Sequence, residues 1–349
     1  MAPNILITGV TGYVGGTVFH TLVTVHPEYN ITVLLRNPQP SFSEKYPNVK
    51  VLKGDFENFE LLKDAASKAD VVIHHGDSDN EAAVSALLAG LSSRAAASLP
   101  AFYIHLGGTG IIVQYENLGE LHLKVWSDIG DIETLWSMPE AALHRNTELL
   151  IQDAWTGRRV KTAVVCPPMI HGRGKGPGRI DSMVFPALLS ASVQTGSTFY
   201  LGSGTNIYSK VHVDDVAQVF LKLAEAAASG GEGADWGHGG YYFLTSEEIN
   251  QKDIAIAAGK ILKQKGLVPT EQPKQVILEE LDKLLPQSRF RGVARLVFAS
   301  NSRSTPDRTR KVLSYEPRGI SFLDSLEDDL ERAAQSASHS SGKQPVPSS

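Results

Sequence analysis

Gly9, Gly12 and Gly15 recur every third residue in Thr8-Gly-Val-Thr-Gly-Tyr-Val-Gly-Gly16, and the apolar run Ile5-Leu6-Ile7 leads straight into them. A buried strand, a glycine turn and a helix over 17–25 make a cradle for a dinucleotide pyrophosphate. Gly9 permits the tight turn, Gly12 lets the backbone approach the phosphates, and Gly15 lets the helix pack closely on the sheet. Thr11, Tyr13 and Val14 complete the turn, whose N–H groups and positive dipole end face the anion. A second chemical signal ends the next strand. Ile31-Thr32-Val33-Leu34-Leu35 is a continuous apolar run, as a strand buried on both faces should be, and Arg36 follows it. A site for NAD(H) usually puts a carboxylate there for the ribose 2′-OH, yet no Asp or Glu occurs before Glu44. A guanidinium suits a 2′-phosphate, so NADP(H) is expected in preference to NAD(H), with a solvated surface arginine as the alternative.

Alternating strands and helices must carry these residues. Strands are expected at 49–53, 71–75, 101–105 and 161–166, and helices at 59–69, 81–97 and 139–155. Such alternation implies an α/β protein with a Rossmann-type doubly wound parallel sheet. Its right-handed crossovers put every strand's C-terminal end on one edge, where the ligand crevice lies. Beyond Pro167 the pattern loosens into glycine-rich loops at 172–178 and 230–240 and a strand-then-helix at 211–226. Helices are expected at 247–265, 275–285, 305–313 and 323–334. The expected organisation is a dinucleotide-binding domain over 1–168 plus about 205–228, and a smaller C-terminal substrate lobe from about 169–204 and 229–334. A Ser/Gly/Pro-rich disordered tail is expected at 335–349.

Composition narrows the partners. The 349 residues carry a net charge of −5 and no basic cluster, which argues against nucleic acid. A single cysteine, Cys166, fits a reducing compartment and reads as strand packing. No apolar stretch approaches the roughly 20 residues that cross a bilayer, and no leader precedes the first strand. A soluble, cytoplasmic protein with a small-molecule substrate and no membrane partner is expected. His, Asp and Glu show no metal-ligand spacing, so no metal is expected.

Further landmarks are Gly54-Asp55-Phe56, Ala69-Asp70-Val-Val-Ile-His-His-Gly76 and Tyr103-Ile-His-Leu-Gly-Gly-Thr-Gly110, then Cys166-Pro-Pro-Met-Ile-His-Gly172 and Val211-His-Val-Asp-Asp-Val-Ala217. With the glycine turn, their order and spacing over residues 4 to about 330 resemble an extended short-chain dehydrogenase/reductase of the nucleoside-diphosphate-sugar epimerase/dehydratase-like type. The resemblance implies that Asp55 and the Phe56 backbone contact adenine, and that His74, His75 and Gly76 pass beside the cofactor ribose. It also implies that Pro167, Pro168, Met169 and Ile170 border the nicotinamide. An Asp can accept from the adenine amino group, though Asp55 could equally cap the next helix, and the prolines could simply end a strand.

The family's proton relay has no match. It needs Tyr-x-x-x-Lys on the helix after the fifth strand, plus a Ser or Thr at that strand's end. No tyrosine lies between Tyr115 and Tyr200, and Tyr46-Pro-Asn-Val-Lys50 lies on no helix. Lining up the helix through Glu148-Leu149-Leu150 puts Glu140 at the Tyr position, His144 at the Lys position and Gly107 near the Ser. His144, expected on the helix, could bind the nicotinamide ribose or shuttle a proton, with Glu140 one turn away to orient it. Thr109 and Tyr115 offer hydroxyls beyond the fifth strand, although Tyr115 could instead pack against Trp126 or Trp136. Arg173, Arg179 and Arg303 could meet an anionic substrate in the segments 173–179, 185–198 and 290–303.

Three readings remain open. One is an NADP(H)-dependent oxidoreductase acting on a small or medium organic carbonyl or alcohol with a non-standard proton donor. Another is a non-redox isomerase or lyase whose cofactor only shapes the pocket. A third is an NADP-binding regulator resembling NmrA-type proteins, for which a homodimer or a protein partner is left open.

Overall fold

The computed structural model describes residues 2–157, 160–285 and 292–341. Its centre is a seven-stranded parallel sheet. In chain order the strands are β1 (Asn4–Thr8), β2 (Asn30–Leu35), β3 (Lys50–Lys53), β4 (Val71–His74), β5 (Phe102–Leu106), β6 (Lys161–Cys166) and β7 (Tyr241–Phe243). Their spatial order is β7-β6-β5-β4-β1-β2-β3. Chain order reverses on either side of β1 and β4, and the crevice at such a switch is where doubly wound sheets bind ligands. The sheet strands are apolar on both faces because helices cover both. Helices α1 (Tyr13–Val25) and α6 (Val213–Ala228) build one core with Ile5, Ile7, Val33 and Ile73. On the other face, α2 (Phe59–Ser67), α3 (Glu81–Ala96) and α4 (Arg145–Gly157) pack with Leu6, Val72, Tyr103 and Val164.

A third core joins α5 (Val184–Thr195), α7 (Gln251–Gln264) and α8 (Phe322–Ser341) around Phe185, Phe199, Leu262 and Phe322. Small parallel pairs surround it: Phe199–Leu201 with Lys274–Val276, and Met169–His171 with Lys210–His212. The segment 299–309 then returns across the sheet's C-terminal edge. Asn301 exchanges backbone hydrogen bonds with Gln114 (2.8 and 3.2 Å), and Trp126 N donates to Arg303 O (2.9 Å). The Ser302 hydroxyl donates to Thr109 O (2.9 Å), and Arg308 N donates to Asp128 (2.7 Å).

Several sequence expectations are corrected. The first helix starts at Tyr13 rather than residue 17, so Gly15 and Gly16 lie inside it. Residues 241–243, expected in the C-terminal lobe, form an edge strand of the main sheet, because Tyr241 and Phe243 are buried on its second core. The helix expected over 275–285 is a strand followed by one turn, Leu278–Leu281. The tail expected to be disordered from 335 is helical to Ser341, while 342–349 lie outside the described residues. Residues 286–291, which take in the start of the expected 290–303 substrate segment, lie outside them too. No described helix is long and apolar enough to cross a membrane.

Candidate functional site

The glycine turn leaves β1 with Gly9 in the left-handed region (φ +75°), where a Cβ would also stand 2.4 Å from the His75 carbonyl oxygen. Gly12 N donates to Gly9 O (2.9 Å) and closes the turn. A Cβ on Gly15 would strike Gly9 O at 2.4 Å, whereas one on Gly12 meets only Gly9 O, at 3.1 Å, and otherwise enters open space. Gly15 thus serves the packing of α1, and Gly12 leaves an empty approach to the helix's first N–H groups. No acidic residue stands in that first turn. Tyr13 turns its ring inward and donates to Gly172 O (2.6 Å), so only its backbone faces the cradle, beside Thr11 and Val14.

Arg36 is exposed immediately after β2 and pairs with no described acidic residue. Asp55 accepts from Glu57 N (3.1 Å), while Asn58 caps α2. The Phe56 ring packs edge-on to His74 (5.6 Å) and leaves no room for a side chain at Gly76. The side chains of His74 and His75 are core groups. The His74 Nδ1 shares a hydrogen bond with the Thr8 hydroxyl (2.7 Å), and His75 packs on Phe220 (4.4 Å). Burial lowers their pKa values to about 4 and about 3, so both stay neutral and only the backbone of 74–76 lines the crevice.

Around the end of β5 the expected helix is overturned. Residues 139–144 are irregular, His144 has φ +69°, and α4 begins at Arg145. Arg145 holds this break by donating to the carbonyls of Met138 (3.0 Å) and Trp136 (2.5 Å). Glu140 is exposed, off the helix, and is not the residue that orients His144. Asp79, on the loop after β4, takes that place: its carboxylate lies 2.8 Å from His144 Nδ1. Burial works against the imidazolium, but the Asp79 hydrogen bond and charge, with Glu148 behind them, hold the His144 pKa above its ordinary value. The other ring nitrogen faces β5's end, where Cβ atoms on Gly108 or Gly110 would stand 3.0 and 2.9 Å from Nε2.

Thr109 is buried beside this ring, its N–H donating to Pro167 O (3.1 Å). Met169 N donates to Ser209 O (3.1 Å), fixing the 167–170 segment along the same edge. Tyr115 is 47 % exposed, while Trp136 packs on Trp155 and Tyr241 instead. Two residues escaped the sequence reading. The Tyr208 phenol, whose pKa burial raises, is set among the hydroxyls of Thr109 and Ser302. Glu148 is fully buried, accepts from the Tyr241 hydroxyl (3.0 Å), and is raised by burial to about 7. Spacing names Glu148 only as a point on the helix and Tyr208 not at all, because Tyr208 and Tyr241, the partner of Glu148, both reach the site from beyond α5. At Gly107, where the family serine aligns, a Cβ would crowd Cys166 Sγ and Val164, both at 3.1 Å. Burial pushes the Cys166 thiol up. Arg303 is removed as an anion receptor, since it forks onto Glu248 (2.7 Å). No group of three or more metal-ligating side chains occurs among the described residues.

Two family models match parts of this chain: the NmrA-like family over residues 1–91 and the NAD dependent epimerase/dehydratase family over 141–238. The structure superposes on dTDP-glucose 4,6-dehydratase from Streptomyces venezuelae with NAD and TYD bound (TM-score 0.64, 15 % identity, 96 % of this chain and 98 % of that one). It superposes equally on UDP-glucose 4-epimerase from Thermotoga maritima with UDP-glucose (TM-score 0.62, 16 % identity, 96 % and 99 %). It shares the Rossmann-type α/β fold of these two enzymes. By sequence, oxidase ucsJ of Acremonium sp is 27 % identical over 96 % of this chain and 99 % of its own length. An uncharacterized Saccharomyces cerevisiae protein is 25 % identical over 93 % and 97 %.

Proposed function

We propose that this chain is an NADP(H)-dependent oxidoreductase for a small or medium organic carbonyl or alcohol, working without the family's tyrosine. The observation that carries the reading is the open cradle at Gly12, with an unpaired Arg36 guanidinium at the end of β2 where a carboxylate would select NAD(H). The residues fit a dinucleotide: the turn is closed where α1 needs it and open where phosphates would approach. Bound there, the nicotinamide supplies or accepts the hydride. The chain's own part is the proton. With Nδ1–H donated to Asp79, His144 holds its exchangeable proton on Nε2, at the end of β5 beside Thr109. A raised pKa keeps that proton available near neutrality, for donation to a carbonyl oxygen or removal from an alcohol.

Calorimetric titration with NADPH and NADH tests the cofactor. NADPH is expected to bind at least tenfold more tightly, and Arg36→Ala to abolish the difference, since a charge-assisted pair contributes about 1.5–3 kcal/mol. A panel of carbonyl compounds with NADPH tests the chemistry, and His144→Ala should lower kcat roughly 10²-fold with cofactor affinity retained. Equal affinities for both nucleotides would refute the Arg36 argument. Binding without NADPH oxidation on any carbonyl would favour the NmrA-like regulatory reading, which the match over residues 1–91 supports.

A further inference from the structure

The ends of the loop that follows Met169–His171 are held by α8, where Asp329 accepts from Gly172 N (3.1 Å) and Arg332 pairs with Asp181. Between those ends it lies across the glycine turn. Gly174 N donates to Ile180 O (2.7 Å) and pinches the loop shut, Lys175 N donates to the Thr17 hydroxyl (3.1 Å), and Arg179 N donates to Thr11 O (3.0 Å). Its glycines are contact points. A Cβ on Gly178 would stand 2.2 Å from Thr11 O, and one on Gly176 would stand 2.5 Å from Gly16 Cα. Tyr13 secures the near end through Gly172 O, and Lys175 Nζ pairs with Asp214 (2.8 Å). A stretch that reads as slack linker is a close-packed strap over residues 11–17.

The strap also carries charge to the cradle. Arg179 is exposed, and its guanidinium has no ion pair or hydrogen bond with a described residue, while its own amide is fixed on the Thr11 carbonyl. Asp181, the nearest carboxylate along the chain, is already held by Arg332 (2.7 Å). Arg36 follows β2, which runs parallel to β1 with Ile7 opposite Val33, so it stands at the C-terminal end of the strand next to the one that leads into the turn. A guanidinium without a described partner is therefore carried on a strap fixed to the glycine turn, at a helix end whose first turn has no acidic residue.

Building on the reading of this turn as a dinucleotide cradle, we propose that Arg179 is a cofactor residue that pairs with the pyrophosphate, and not a receptor for an anionic substrate. Arg36 and Arg179 then divide the work: one reads the 2′-phosphate that distinguishes the two nucleotides, and the other grips the phosphates they share.

The test is calorimetric titration of the full chain with NADPH and NADH, comparing wild type, Arg179→Ala, Arg179→Lys and Arg36→Ala. Arg179→Ala should weaken both nucleotides by about tenfold or more, as expected for one charge-assisted pair, and Arg179→Lys should restore part of that loss. Arg36→Ala should weaken NADPH alone. The thermal midpoint of Arg179→Ala should match wild type, because the strap is held by the backbone amide and not by the side chain. Native affinity of Arg179→Ala for both nucleotides overturns the proposal while leaving the cradle reading intact. A loss confined to NADPH overturns the pyrophosphate assignment in favour of the 2′-phosphate. A wild-type chain that binds neither nucleotide overturns the cradle reading, and the proposal with it.

Discussion

Two of the turn's glycines can be separated by substituting each with alanine. At Gly15 the added Cβ falls 2.4 Å from Gly9 O and 2.8 Å from His75 Cβ, where ordinary contact begins at 3.4 Å. The shortfall is about 1 Å against a carbonyl in a left-handed turn and a fully packed histidine, so the N-terminal end of α1 has to lift from the sheet. Overpacking costs typically 1–3 kcal/mol, and two such unyielding partners place it in the upper half, about 2–3 kcal/mol. Alanine's better helix propensity returns about 1 kcal/mol. In a chain of 349 residues the net loss of about 1–2 kcal/mol lowers Tm by roughly 1–3 °C. At Gly12 the Cβ meets a single atom at 3.1 Å, so stability should change by no more than about 0.5 kcal/mol. That Cβ occupies the phosphate approach, and NADPH affinity should fall tenfold or more, about 1.4 kcal/mol. Differential scanning calorimetry and nucleotide titration on both variants read the two effects. A Gly15→Ala protein as stable as wild type, or a Gly12→Ala protein with native affinity, would refute the division of roles.

Two pH-dependent predictions follow from the end of β5. Glu148 is raised to about 7 from an ordinary 4.5, so the folded chain binds the extra proton and stability falls as pH rises between those values. Glu148→Gln should remove that slope and gain about 3 kcal/mol above pH 7, provided the Tyr241 hydrogen bond is kept; urea melts across pH 4–9 would show it. His144 has the same sign with respect to pH, although here it is the charged form that the fold favours. Its raised pKa contributes stability that is full below its ordinary value of 6.5 and is lost as pH rises through the folded value. Asp79→Asn should therefore destabilise more at pH 6 than at pH 9, and should move the imidazole NMR titration below 6.5 because burial then acts with less opposition. An unmoved titration would remove Asp79 as the orienting group.

The glycine turn, the apolar strands and the alternation of elements were readable because each is local: a three-residue spacing, a buried run, a period. The break before α4 was not. Pro139-Glu-Ala-Ala-Leu-His144 has helical propensity throughout, yet Asp79 and the Trp136 and Met138 carbonyls pull His144 and Arg145 out of that path. The orienting carboxylate lies 65 residues upstream, so no helical spacing could name it. Tyr241 was hidden for a related reason. Three residues of strand after a glycine-rich loop carry little signal until β6 supplies the edge they pair with. Arg179 was noticed as a cation, but its allegiance depends on a backbone bond to Thr11 that no motif records.

The thread at 299–309 has a consequence for how the molecule comes into being. Ser302 closes on Thr109 across 193 residues, and Arg308 on Asp128 across 180. Ordering so long an intervening chain costs entropy that only the finished contacts offset, so this rim forms after the sheet it borders. On the ribosome, the strands that hold the glycine turn emerge well before the thread that borders the sheet's C-terminal edge. An unfinished chain can therefore assemble the glycine turn and its sheet while the rim at the end of β5 is still open to water. Synthesis that stops short of residue 300 leaves the glycine turn formed and the rim at Thr109 and Asp128 without its partners.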